Sequence, residues 1–124
     1  LSQLPAGVVF APLDLGPSIL LESEHAVVAT SHHRAEAAMA DVIGAFIAPP
    51  DRARPIIARH QANYLALCTD LAEARNYARR HPEGLAAKVM AGQVPDWLEP
   101  VASLTTPEFR VFRVRQGGNA APPR

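Results

Sequence analysis

Apolar and polar positions alternate in two different rhythms along this chain. Val8-Val9-Phe10-Ala11 is a short, unbroken and partly β-branched apolar run, and His25 to Thr30 (HAVVAT) repeats that character. Runs of this kind read as strands covered on both faces. Between them Pro12 stops the first strand, and Asp14 or Gly16 can cap a helix. Pro17 fits that helix's first turn, where amides lack intrahelical partners. Ile19, Leu20 and Leu21 give it an apolar side. The stretch from Gly7 to Arg34 therefore predicts strand, turn, short helix and strand, with the two strands parallel and the crossover right-handed.

The rhythm then changes to the helical one. Ala35, Met39, Val42, Ile43 and Phe46 fall on one stripe, with Glu36 and Asp41 off it. Pro49-Pro50-Asp51 ends that helix and starts another, on which Ala53, Ile56, Ile57 and His60 share a face. Asn63 to Thr69 (NYLALCT) predicts a third strand, and Asp70 is placed to cap the helix after it. Leu71, Ala74, Tyr77 and Ala78 form the inner face of that helix, with Arg75, Arg79 and Arg80 outside. His81-Pro82-Glu83-Gly84 breaks it, and Leu85 to Gly92 predicts a short amphipathic turn or helix. The stretch from Val94 to Leu98 is irregular but holds Trp97, expected to plug a gap at the domain's edge. Phe109 to Arg115 (FRVFRVR) predicts a last strand, whose arginines suit an edge.

These elements predict a small three-layer α/β sandwich with a mostly parallel, roughly four-stranded sheet, in the order βαβ-α-α-β-α-β, its last strand at an edge. One domain spans residues 1–115, opening with a linker over Leu1 to Ala6. A disordered tail rich in Gly, Pro and Ala covers residues 116–124. At 124 residues the chain holds one ordinary domain.

Composition adds little to this picture. Aromatics make up 6% of the chain, so the core is expected to be aliphatic, anchored by Phe10, Phe46, Tyr64, Tyr77, Trp97, Phe109 and Phe112. Twelve basic side chains balance twelve acidic ones, so net charge argues for neither nucleic acid nor an anionic membrane. Cys68 is the single cysteine, which rules out an internal disulfide. No apolar run approaches the roughly 20 residues of a membrane helix. A start at Leu1 is expected of a piece of a larger protein.

Ligands of parallel sheets bind at the carboxyl ends of the strands. Three such ends carry polar groups here: Asp14, then His32-His33-Arg34, then Cys68-Thr69-Asp70. Helix capping accounts for Asp14 and Asp70 equally well. Adjacent histidines in an extended segment point to opposite faces, so His32 and His33 do not chelate one ion, and no HxH, HExxH or CxxC spacing occurs. His60, on an apolar helical face, reads as a hydrogen-bonded core histidine. A thiolate–imidazolium pair of Cys68 with His33 needs an exposed electropositive setting, whereas Cys68 follows the buried-looking Leu65-Ala66-Leu67. The turn LDLGPS has one glycine where a dinucleotide loop has three, and Asp14 would repel a phosphate there. Arg110, Arg113 and Arg115 read as a solvated edge and not as an RNA surface.

Taken together, APLDLGPSILLESEHAVVATSHHR, YLALC, GLAAKVMAGQVPDWLEPV and FRVFRV resemble the C-terminal soluble region of bacterial polytopic membrane proteins related to C-type glycosyltransferases. In that group a segment P-x-G-x-V-x-A-P-x-D-L-G-P leads to H-x-V-(V/L)-A-(A/G)-P-Y-H-R. A tyrosine-led strand ending near a cysteine follows, and then P-x-W-L. Pro5, Gly7, Ala11, Pro12, Asp14, Leu15, Gly16, Pro17, His25, His33, Arg34, Tyr64, Cys68, Pro95, Trp97 and Leu98 fit those positions, over a match from about Leu4 to Val114. The chain departs from the pattern at Ser31-His32, where Pro-Tyr is usual, and at Ala35, where Asn is common.

The resemblance implies an extracytoplasmic (periplasmic) domain following a bundle of membrane helices of the same polypeptide. The catalytic acid of such transferases lies on a loop of the membrane part. The soluble domain would be non-catalytic, helping to position an acceptor or donor, such as a lipid-linked or sugar ligand, or simply stabilising the assembly; the residues themselves predict no cofactor or metal. Ligand contacts are expected at Asp14, His33, Arg34 and Cys68, and no nucleic-acid partner is expected. Two rival readings are a stand-alone hydrolase or transferase using His33 with Cys68 or Asp14, and an interaction module pairing through its last strand.

Overall fold

Val8 and Phe10 point to one side of the first strand, Val9 and Ala11 to the other, and every one of them has an apolar layer to enter. A computed structural model describes residues 5–15, 25–28 and 36–115 of the chain. Strand β1 (Val8–Phe10) pairs in parallel with β2 (Ala26–Val27) on one side and with β3 (Tyr64–Cys68) on the other. Gly7 packs closely beside this junction. A Cβ there would meet Asn63 Oδ1 at 2.8 Å, the same oxygen that accepts the Val8 N–H at 2.9 Å.

Helices α1 (Glu36–Ile47), α2 (Pro50–Arg59), α3 (Ala72–Arg80) and α4 (Leu85–Met90) follow the predicted periodicities. Pro50 opens α2, where its missing N–H costs nothing. All four helices contribute to one apolar cluster with Phe10, Leu65, Leu67 and Phe112, which places them on the same face of the sheet. Within it, Phe46 packs on Phe10 at 5.6 Å and stacks on Tyr77 at 6.1 Å, with ring planes 7° apart. This aromatic run joins β1, α1 and α3, each pair adding about 0.5–1.5 kcal/mol beyond simple burial. The opposite face of the sheet carries a second cluster of Val9, Ala11, Leu15, Tyr64 and Ala66.

Among the described residues the sheet has five strands in the order β2-β1-β3-β5-β4, the last two being β4 (Leu98–Pro100) and β5 (Phe109–Val114). The α/β class and the parallel β1–β2 and β1–β3 pairs are as expected, while β5 runs antiparallel to both β3 and β4. The expected edge position of the last strand is wrong. Strand β5 is flanked on both sides, its Val111 and Phe112 are buried, and pairing with a partner through this strand is thereby excluded. Its arginines fit an internal strand by extending to the rim: Arg110 donates to the Pro107 carbonyl from Nε and to the Val89 carbonyl from Nη1. The edge on this side of the sheet is β4, of which Leu98 alone fell in the stretch expected to be irregular, and where Pro100 needs no ladder donor. Trp97 is buried just ahead of it, under the Arg54 guanidinium at 5.9 Å.

Asp70 does not cap α3 as expected. Thr69 N–H still bonds the Glu108 carbonyl, so the β3–β5 ladder runs one residue further and the helix begins later, with Leu71 at its N-cap. The predicted helix bearing Ile19 to Leu21, the end of the second predicted strand, the His32-His33-Arg34 corner and the C-terminal tail lie outside the described residues.

Candidate functional site

Helix α3 leaves β3 directly beneath the turn that follows β1, because β1 and β3 are parallel neighbours. That geometry brings the first turn of α3 against Pro12–Leu15, a tight turn closed by Leu15 N–H to the Pro12 carbonyl at 3.1 Å. Glu73, in the first turn of α3, uses both carboxylate oxygens on it. Oε2 accepts the Leu13 N–H at 2.9 Å and Oε1 accepts the Asp14 N–H at 2.8 Å. Tyr77, one helical turn on, donates its hydroxyl to Glu73 Oε2. Two backbone donors some sixty positions distant in sequence are thus satisfied by one side chain.

Electrostatics follow from that packing. The Asp14 residue is exposed as a whole, yet its carboxyl is partly desolvated on the side facing Glu73. That desolvation first, and the neighbouring Glu73 charge second, raise Asp14 above the ordinary aspartate value. Tyr77 is pushed far up by burial and then by its bond to Glu73, so its hydroxyl stays a donor.

Cys68 closes β3 at the same carboxyl-end rim, opposite Phe109 of β5, and packs half-buried against the cluster of Val9, Ala11 and Leu15. Of the four expected contact residues, Asp14 and Cys68 therefore sit on the carboxyl rim of adjacent parallel strands, while His33 and Arg34 lie outside the described residues. Sequence reasoning missed Glu73 and Tyr77. Their i, i+4 spacing on α3 was visible, but the backbone donors they serve were not.

Three further places hold polar or open features. His60 Nε2 meets Asp41 Oδ2 at 2.7 Å, and Arg59 Nη2 donates to Asp41 Oδ1 at 3.0 Å, which makes His60 the hydrogen-bonded histidine expected of it. Those partners, His60 foremost, hold Asp41 below the usual aspartate range. His25 is buried at the far end of β1. Its Nδ1 accepts the Gly7 N–H at 3.2 Å, and its ring stands edge-on to Tyr64. Between α1 and α3, Ile43, Ile47, Asn76, Tyr77, Arg80 and His81 line an open groove of about 290 Å³.

Among the described residues no group of three or more His, Cys, Asp or Glu side chains is arranged to hold a metal ion. No helix among them is long and apolar enough to cross a membrane. The carboxylates of Glu73 and Asp41 are committed to bonds within the fold.

No family model matches this sequence, and no curated protein matches it. Among solved structures, the fold is similar to the C-terminal globular domain of an oligosaccharyltransferase from Archaeoglobus fulgidus. The TM-score is 0.64 at 13% sequence identity, over 88% of this chain and 84% of that one.

Proposed function

We propose that this chain is the globular, non-catalytic domain of a membrane-integral glycosyltransferase-like protein, helping to position an acceptor or a lipid-linked or sugar donor on the extracytoplasmic side. The observation that carries this reading is the fold: most of the chain matches most of an oligosaccharyltransferase's C-terminal globular domain. The sequence pattern from about Leu4 to Val114, which resembles the soluble region of membrane glycosyltransferase relatives, points the same way. Glu73 and Asp41 hold segments of the fold together, which suits a positioning role. Ligand contacts in this reading are Asp14 and Cys68, at the carboxyl ends of β1 and β3, together with His33 and Arg34.

The test is made on the parent gene and its product. Several apolar segments of about 20 residues are expected ahead of Leu1, and a parent with none overturns the reading. Glycosyl transfer by membranes carrying the whole polypeptide should fall when residues 1–115 are deleted. Residues 1–124 alone should transfer nothing, and transfer by that isolated chain would overturn the non-catalytic assignment.

A further inference from the structure

The chain carries no net charge, but its charges are not evenly spread. The solvent-facing stripe of α3 consists of Ala72, Arg75, Asn76, Arg79 and Arg80, which gives three cations and no acid. The helix's own acid, Glu73, is turned onto the Leu13 and Asp14 amides. Asp41 is occupied by Arg59 and His60, and Glu83 meets Lys88 Nζ at 3.1 Å. Glu36 begins α1, and Asp14 and Asp70 lie by the start of α3, whereas Arg79 and Arg80 close it. Among the described residues, neither of those two arginines has an ion-pair partner.

An apolar feature adjoins this stripe. Asn76 and Arg80 also line the open groove whose apolar side chains are Ile43, Ile47 and Tyr77. Among the described residues Ile43 is the one exposed large hydrophobic, at 38%.

We propose that the outer stripe of α3, with Ile43 of α1 beside it, is a docking surface for an anionic lipid bilayer. The arginine forks pair with lipid phosphates, while their stems and Ile43 sink toward the acyl boundary. A soluble acidic protein would match the arginines and offer Ile43 only more charge. An RNA strand would need free rings for stacking, and the Tyr77 ring is already stacked on Phe46. A bilayer supplies a dense negative layer with apolar atoms directly beneath it. The docking surface goes beyond the proposed function and does not rest on it, since it uses only this chain's own face.

Vesicle sedimentation of the 124-residue chain tests the surface. Vesicles of phosphatidylglycerol mixed with phosphatidylcholine should bind at least about tenfold more tightly than phosphatidylcholine alone. Added salt should weaken that binding steeply, as screening of exposed charges requires. Arg79→Glu and Arg80→Glu should each cost about fivefold or more. Arg113→Glu makes the same change of charge on the other face of the sheet, beside Tyr64, and should leave binding within about twofold. Ile43→Ser should cost about threefold at low and high salt alike, since its share is apolar. All four side chains are at the surface, so the variants keep the fold. Bicelles carrying a paramagnetic lipid give a second reading on the wild-type chain: the amides of Ile43, Arg79 and Arg80 should broaden and those of β5 should not. Equal affinity for pure phosphatidylcholine, for soluble polyglutamate, or after Arg80→Glu overturns the docking surface, as does broadening centred on β5.

Discussion

Glu73 does more for this fold than its place in the first turn of α3 announces. A first-turn acid ordinarily complements the helix dipole at the surface, whereas this one also satisfies two amides of a distant turn. Glu73→Ala leaves both without that acceptor, and urea unfolding should show a loss of about 1–3 kcal/mol. Tyr77→Phe removes only the hydroxyl and keeps the stack on Phe46, so its loss should be smaller, about 0.5–1.5 kcal/mol. Asp41 makes a pH-dependent prediction of its own. Its folded value lies below 3.8, so the contribution of the His60 and Arg59 bonds is present above 3.8 and disappears as pH falls through the lowered value. In acid titrations of stability, Asp41→Asn should therefore flatten part of the decline below pH 3.8.

At the scale of elements, the joint between α1 and α4 is closely packed. Leu85 N–H bonds the Ala48 carbonyl at 2.7 Å, and a Cβ on Gly84 would lie 2.6 Å from the Ile47 carbonyl oxygen. That neighbour is backbone and cannot swing aside, so Gly84→Ala should destabilise by about 1–3 kcal/mol. Gly44, in the middle of α1, has open space around its missing Cβ. Gly44→Ala should stabilise by about 0.5–1 kcal/mol in the same thermal or urea measurement, since it removes unfolded-chain freedom without a clash. These elements also show what can be read from residues alone. The strands at Val8 and Tyr64 and the four helices were legible because period and β-branching report burial directly. The order of the last two strands was not, because Arg110 looks like an edge residue until its bonds to the Pro107 and Val89 carbonyls are seen, and Pro100 was the quieter, truer sign. The site was half legible for a related reason. Asp14 and Cys68 reach the rim through strand order, which sequence predicts, but the Glu73 anchor depends on a contact between segments sixty residues apart.

Across the whole molecule, the parallel unit of β2, β1 and β3 is finished by residue 68, while the strand that completes β3 begins only at residue 109. Strand β4, made earlier, pairs among the described residues with β5 alone. Synthesis therefore passes through a period in which the apolar, nearly fully buried strand Tyr64–Cys68 has one side open to any passing chain. A polypeptide ending at residue 108 should be recovered as aggregate, where one ending at residue 115 is soluble and monomeric, as centrifugation and light scattering would report. Late insertion of Phe109–Val114 makes this one strand a quality gate: a ribosome that stalls, or a protease that cuts, just short of it leaves a sticky half-sheet for chaperones to clear.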